Sequence, residues 1–426
     1  MGCKELKKTK EFDIDNKYIF SFPAFASNQQ HLEANYSDAK ITYLDEVLLP
    51  DYTDGTNVWM DATKYKEHIK VSNIEATDLM LAVPPCAGLS MLNTGNRGAD
   101  CAANRWMYET VKWNIAQGNK VLCLENAPGL VGAEGVRVLR VIRDILDFNG
   151  VGGEYKMHCT KTTTMNHGIP QKRDRTFLYI YKSDSFVPFK NIKNVLPKLE
   201  DFLKRPEATD TVNHDFLKST WSNILTDYLN KNNLWEKARA LVGDMQTMTI
   251  TPLLFEIYNK DNTAFDEWPE IKYDIEKKQK KLDKDLGYWD AGAIIAKGKV
   301  NAIIAKNAFR IVHPKYNRYI TVREMMDLMG YPDSFVLQGD INRNFNHICQ
   351  SLPVKTGMDH IRWAQGIVNN DPRYVGENIV DHSIDVLLQN NMASDLENDL
   401  KIIQQGDNEF KSYKKVKRNK LKTFMD

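Results

Sequence analysis

Between Tyr18 and Tyr181, short apolar runs alternate with helix-compatible stretches, and this alternation constrains the fold more than any other feature of the chain. Residues 18–22 and 40–46 group β-branched and aromatic side chains and read as strands, with a helix-compatible segment, 28–36, between them. Residues 57–61 read as a third strand and 78–83 as a fourth. Met107, Val111 and Ile115 recur about one turn apart in a helix over 105–116, which Gly118-Asn119 stops. A buried strand at 120–124, a helix at 136–148 and a strand at 176–181 repeat the pattern. Strands alternating with helices predict an α/β, Rossmann-like domain on a mainly parallel sheet, with ligands beyond the carboxyl ends of its strands.

From about 185 to 310 the alternation stops. Trp221, Trp235, Trp268 and Trp289 are scattered through polar sequence, and a charged run fills 272–285. The chain therefore divides into a first domain over 1–184, a second, smaller domain over 185–310, a return to the first domain over 311–370, and a C-terminal helix with a basic tail over 371–426. Thr321 reads as the cap of a helix running to Met329, with Glu324 as its third-position partner. Residues 383–405 read as helical.

The 426 residues suffice for more than one core. A net charge of +1, from 57 Lys and Arg against 56 Asp and Glu, does not announce a polyanionic partner. Residues 411–422, with seven basic side chains and no acid, suit either a phosphate backbone or a solubilising tail. The six cysteines, at 3, 86, 101, 123, 159 and 349, show neither CxxC pairs nor metal-ligand spacing with histidine. No apolar run approaches membrane-spanning length, so the expectation is a soluble cytoplasmic protein in a reducing compartment, with no metal and no membrane partner.

Pro84-Pro85-Cys86 directly follows the apolar run 78–83, and Glu125 stands at the end of the next strand. A cysteine held in a rigid strand-end turn, with a carboxylate and paired guanidiniums to follow, suits a covalent nucleophile acting on an electron-poor ring. The C5 of a pyrimidine resists alkylation until a nucleophile adds at C6, and a thiolate can add there and leave afterwards. Glu125 near N3 would neutralise the charge that develops, provided that it is protonated or shares a proton. Arg173 and Arg175 alternate on a strand entry, which puts both guanidiniums on one side to hold a carbonyl oxygen or a phosphate and to favour the thiolate of Cys86. Each motif alone also fits a structural role: a packed cysteine, a solvated turn or a charged strand edge.

The ordered set resembles the cytosine-C5 DNA methyltransferase family. Val83-Pro84-Pro85-Cys86-Ala87-Gly88-Leu89-Ser90 is similar to its nucleophile motif, Gly-Pro-Pro-Cys-Gln-Gly-Phe-Ser. Glu125-Asn126-Ala127 is similar to Glu-Asn-Val, and Gln171-Lys172-Arg173-Asp174-Arg175 to Gln-x-Arg-x-Arg. Residues 318–324 and 328–335 follow Arg-x-Leu-Thr-x-Arg-Glu and Gly-Phe-Pro-Asp-x-Phe. The resemblance runs from about residue 18 to 365 and implies a methyltransferase domain, with a target recognition domain at 185–310. It also implies Cys86, Glu125, Arg173 and Arg175 as the catalytic set, a monomer acting on double-stranded DNA by base flipping, and S-adenosylmethionine as methyl donor. RNA is a further candidate substrate, because these residues act on the base and do not read the sugar.

Two departures lie on the cofactor side. The family's Phe-x-Gly-x-Gly-Gly is replaced by Phe22-Pro23-Ala24-Phe25-Ala26-Ser27, without a glycine to admit the cofactor close to the backbone. Ile348-Cys349-Gln350-Ser351-Leu352-Pro353-Val354 stands where Gln-x-Gly-Asn-Ala-Val-Pro is expected. The resemblance still implies a cofactor pocket with Phe22, Ala24, Pro84 and Ser351 in its wall, Asp45 or Glu46 on the ribose hydroxyls and Asp61 on the adenine amino group. Three readings stay open: methyl transfer from a reshaped pocket, C5 modification with another electrophile, and a DNA-binding module that transfers nothing.

Overall fold

The structure, a computed structural model, describes residues 1–12, 14–15, 18–21, 29–43, 57–90, 93, 95, 97–203, 220–243, 246–288, 290, 292–304, 310–338, 341–376 and 384–388. Strands β1 (Tyr18–Ser21) and β2 (Lys40–Tyr43) pair in parallel, with the helix Gln29–Asn35 between them. The expected strand at 57–61 is instead a 3-10 turn, Asn57–Met60, leading into the helix Thr63–Val71. The carbonyls of Trp59 and Met60 accept from the side chains of Lys112 and Asn149 and not from a neighbouring strand.

The central sheet contains β3 (Leu79–Ala82), β4 (Val121–Asn126), β5 (Tyr155–Thr163), β7 (Asp174–Lys182) and β11 (Ile384–Leu388), in the order β11-β5-β7-β4-β3. The two-residue β6 (Gln171–Lys172) stands just before β7 and pairs in parallel with β10 (Val300–Asn301), while β8 (Thr247–Thr249) pairs antiparallel with β9 (Ile294–Ala296). The helix Arg105–Gln117 joins β3 to β4, and this crossover gives a parallel pair. The helix Ala133–Phe148 carries the chain past β4 to β5, which β7 then separates from β4.

The mainly parallel expectation needs correction, because β3–β4 is the only parallel pairing among the four in this described sheet. The link from β5 to β7, Thr164 to Arg173, has no room for a crossover helix, so β7 returns antiparallel between β5 and β4. Strand β11 is a second correction. Residues 384–388, read as part of a helix, add to the sheet edge beside β5, while the rest of that segment lies outside the described residues.

Period-two alternation sorts the side chains of the sheet into two layers. Leu122, Leu124, Leu178 and Ile180 face the helices Arg105–Gln117 and Ala133–Phe148 in the largest core. Val121, Cys123, Phe177, Tyr179 and Tyr181 face Trp363 and Ala364 of the helix Val354–Asn369. Each fully buried large apolar side chain contributes about 1.5–3 kcal/mol.

A further cluster gathers Leu225, Leu229, Trp235, Leu253 and Ile275 from four helices between Thr220 and Leu282 and Phe265 from the 3-10 turn Asn262–Phe265, joined by Val312 and Tyr319. Thr321 caps the helix Val322–Leu328 through a complete capping box with Glu324, as its sequence predicts. No helix among the described residues is long and apolar enough to cross a membrane.

Candidate active site

Cys86 follows β3 in a turn closed by the Leu89 N–H donating to the Cys86 carbonyl at 3.1 Å. Two further contacts hold this turn. The Gly98 N–H donates to the Gly88 carbonyl at 2.8 Å, and the Leu89 carbonyl lies against Gly129 of the turn after β4. A Cβ on Gly129 would sit 2.3 Å from that oxygen, so only glycine lets the cysteine turn and the carboxylate turn approach this closely. The glycine's role was not read from the sequence, although Glu125-Asn126-Ala127-Pro128-Gly129 displays it.

The alternation along β4 decides where its last two side chains point. Asn126 falls in the layer of Leu124 and its amide contacts the sulfur of Met107, while Glu125 falls in the opposite layer with Cys123. Arg175, near the start of β7, shares the layer of Phe177 and reaches across the antiparallel pair, with its Nε 2.7 Å from Glu125 Oε1. Its Nη1 also donates to the Asp174 carbonyl at 2.7 Å.

Burial pushes the Glu125 carboxyl above the usual carboxylate range, against the opposing pull of Arg175 and Arg173. The half-buried Cys86 thiol is also raised, first by burial and then by Glu125, with Arg175 and Arg173 pulling it down. Both guanidiniums therefore pull the thiol toward ionisation, the direction expected of them, but desolvation outweighs them before a substrate binds.

Arg173 occupies a different environment. It is 2 % exposed, and its guanidinium donates to the carbonyls of Ile303 at 3.0 Å, Cys349 at 2.8 Å and Ser351 at 3.2 Å. Burial and the neighbouring Arg175 lower its pKa to about 10. Gln171 grips the same place, accepting from the Ile303 N–H at 3.0 Å and donating to the Leu328 carbonyl at 3.0 Å. The first arginine of the motif thus ties β6 and β7 to Ile303 and to the 349–351 segment, with both terminal nitrogens of its guanidinium donating to backbone carbonyls.

Of the residues that the resemblance implies for a cofactor pocket, Phe22, Ala24, Asp45 and Glu46 lie outside the described residues. Pro84 is buried at the end of β3. Ser351 donates to the His347 carbonyl at 2.5 Å and ends the helix Ile341–Gln350. Asp61 is half-buried. Burial opposes its ionisation, but the Thr63 hydroxyl and amide, with Lys66 and Lys112, hold it below the usual range. Thr63 engages Oδ1, so an ionised carboxylate with Oδ2 available fits the exocyclic amine of an adenosyl group.

The sequence profile of the C-5 cytosine-specific DNA methylase family matches residues 39–362, more than half of the chain. Among curated relatives, the chain is 24 % identical over 261 residues to the type II methyltransferase M.MspI of a Moraxella species, covering 58 % of this chain and 56 % of that protein. It is 22 % identical over 296 residues to M.DdeI of Desulfomicrobium norvegicum, covering 64 % of this chain and 66 % of the relative. The matched part thus spans between about half and two thirds of these relatives' length. Among solved structures, a prophage-encoded E. coli protein assigned as a DNA modification methyltransferase superposes with a TM-score of 0.52 at 16 % identity, covering 87 % of this chain and 97 % of that one. That likeness concerns the fold. The profile match over residues 39–362 places this chain in the C-5 cytosine-specific DNA methylase family.

Proposed function

We propose that the chain is a DNA cytosine-5 methyltransferase that flips its target base out of the duplex and attacks it covalently. The Cys86 thiol gives up its proton to solvent as it adds to C6 of cytosine, Glu125 lends the proton that neutralises N3 and takes it back after alkylation, and Arg175 passes from Glu125 to the base carbonyl. S-adenosylmethionine, when bound, supplies the methyl group for C5 and leaves as S-adenosylhomocysteine. Loss of the C5 proton and expulsion of the Cys86 thiolate then restore the aromatic ring. Arg173 holds the hairpin in place. One observation carries this reading: Glu125 and Arg175 are paired at 2.7 Å, and both act electrostatically on Cys86.

The names of the curated relatives, and the prophage origin of the structural neighbour, favour self-marking of DNA in a restriction or phage setting. Duplex DNA carrying 5-fluorocytosine, incubated with S-adenosylmethionine, is expected to form a denaturant-resistant adduct with the wild type and none with Cys86→Ser. An adduct of equal yield with Cys86→Ser refutes the assignment.

The glycine-free segment 22–27 favours a second reading, a DNA-binding homologue that transfers nothing. Calorimetric titration separates the two. Saturable binding of S-adenosylhomocysteine supports the enzyme, and no binding, even with DNA present, supports the module or another electrophile.

A further inference from the structure

We infer that Lys112 and Asn149 are positioning residues for the adenosyl end of the methyl donor, because from two different helices they fix the turn that carries Asp61. This rests on the reading that Asp61 accepts from the adenine amino group.

Lys112 lies deep in the helix Arg105–Gln117. Its Nζ is 2.7 Å from Glu109 Oε1, with both side chains wholly buried, and it donates to the Trp59 carbonyl at 2.5 Å. The hydroxyl of Tyr65, in the helix that Asp61 leads into, donates to the other oxygen of Glu109. Asn149 closes the helix Ala133–Phe148. Its Nδ2 donates to the Met60 carbonyl at 2.9 Å, and its Oδ1 accepts from the Ala62 N–H at 3.0 Å. The Trp59 and Met60 carbonyls before Asp61 and the Ala62 N–H after it therefore end on side chains, and the turn joins the following helix through the Ala62 carbonyl.

A buried lysine–glutamate pair is a poor way to stabilise a core, since apolar residues of similar volume usually do as well or better. What an ammonium supplies there, and a methyl group cannot, is a donor for the Trp59 carbonyl. Two side chains of the helix Thr63–Val71 also depend on this arrangement, Tyr65 through Glu109 and Thr63 through Asp61. The carboxylate of Asp61 is thereby aimed before any ligand arrives, which lowers the ordering cost of binding.

The test uses the full chain with the double substitution Glu109→Gln and Lys112→Met, which removes the buried charges together, keeps a partner for Tyr65 and removes the hydrogen bond that Lys112 donates to the Trp59 carbonyl. S-adenosylhomocysteine is expected to bind about tenfold more weakly by calorimetry, while affinity for duplex DNA is unchanged. Asn149→Leu, at the other contact, is expected to show the same selective loss, and serves if the double variant does not fold. Amide hydrogen exchange at 59–63 is expected to accelerate in both variants without ligand. Unchanged ligand affinity, or equal loss of ligand and DNA affinity, overturns the inference alone. A wild type that binds no S-adenosylhomocysteine overturns the cofactor reading and this inference with it.

Discussion

The partly buried Arg175 and the buried Glu125 pair between adjacent antiparallel strands, Nε to Oε1 at 2.7 Å, at the strand ends beside the Cys86 turn. Before a base arrives, the guanidinium is committed to the carboxylate. Glu125→Gln is expected to lower kcat by about 10²–10⁴-fold, the usual loss when a positioned proton donor is removed. Single-turnover methylation of a cytosine-containing duplex measures this, and a loss of less than fivefold excludes Glu125 from the proton transfer.

The same substitution is expected to make Cys86 easier to ionise, because Glu125 raises its pKa and the freed Arg175 lowers it. Iodoacetamide labelling of Cys86, followed across pH by peptide mapping, is expected to show an apparent pKa above the ordinary thiol range in the wild type and a lower one in Glu125→Gln. An unchanged or higher value in the variant refutes the coupling.

Glu125 also contributes to the pH dependence of stability. Its folded pKa is raised, so the native state holds a proton that the unfolded chain gives up. Stability from this group is greatest below the ordinary glutamate range and falls as pH rises from that range through the raised folded value. Chemical denaturation of wild type and Glu125→Gln across that window is expected to show the variant gaining relative to the wild type as pH rises.

Gly129→Ala drives a methyl group into the Leu89 carbonyl. Overpacking of this kind costs about 1–3 kcal/mol, and a shift of the cysteine turn by about 1 Å costs roughly 10²-fold in rate. The variant is expected to stay folded by circular dichroism while losing adduct formation with 5-fluorocytosine DNA. Wild-type trapping would show that the close approach is dispensable.

Glu324 is 1 % exposed and receives two hydrogen bonds from Arg318, each at 2.8 Å, and one from the Thr321 N–H at 2.8 Å. Glu324→Ala leaves Arg318 without its carboxylate and is expected to cost about 3–5 kcal/mol in urea denaturation. Burial opposes ionisation of Glu324, but Arg318 and Thr321 hold its pKa below the usual range. The deficit of the variant is therefore full above the ordinary glutamate range and shrinks as pH falls through the depressed value. A deficit that is constant with pH refutes the ionic origin.

Local sequence determined what depends on local periodicity and capping. The helices Arg105–Gln117 and Ala133–Phe148, the strands β3, β4 and β7, and the Thr321 cap follow from residue spacing alone, as does the order of the motifs. Tertiary structure decided what depends on partners distant in the chain. Residues 57–60 carry a strand-like composition but turn, because Lys112 and Asn149 satisfy their carbonyls. The polar strand Tyr155–Thr163, not legible in the sequence, exists because β7 and β11 pair on either side of it. Alike in sequence, Arg173 and Arg175 separate in role because three backbone carbonyls, two from residues more than 170 positions away, meet the first and Glu125 meets the second. Cys86 stands in a legible motif, yet its raised pKa is set by burial, a property of the assembled core and not of the residues beside it.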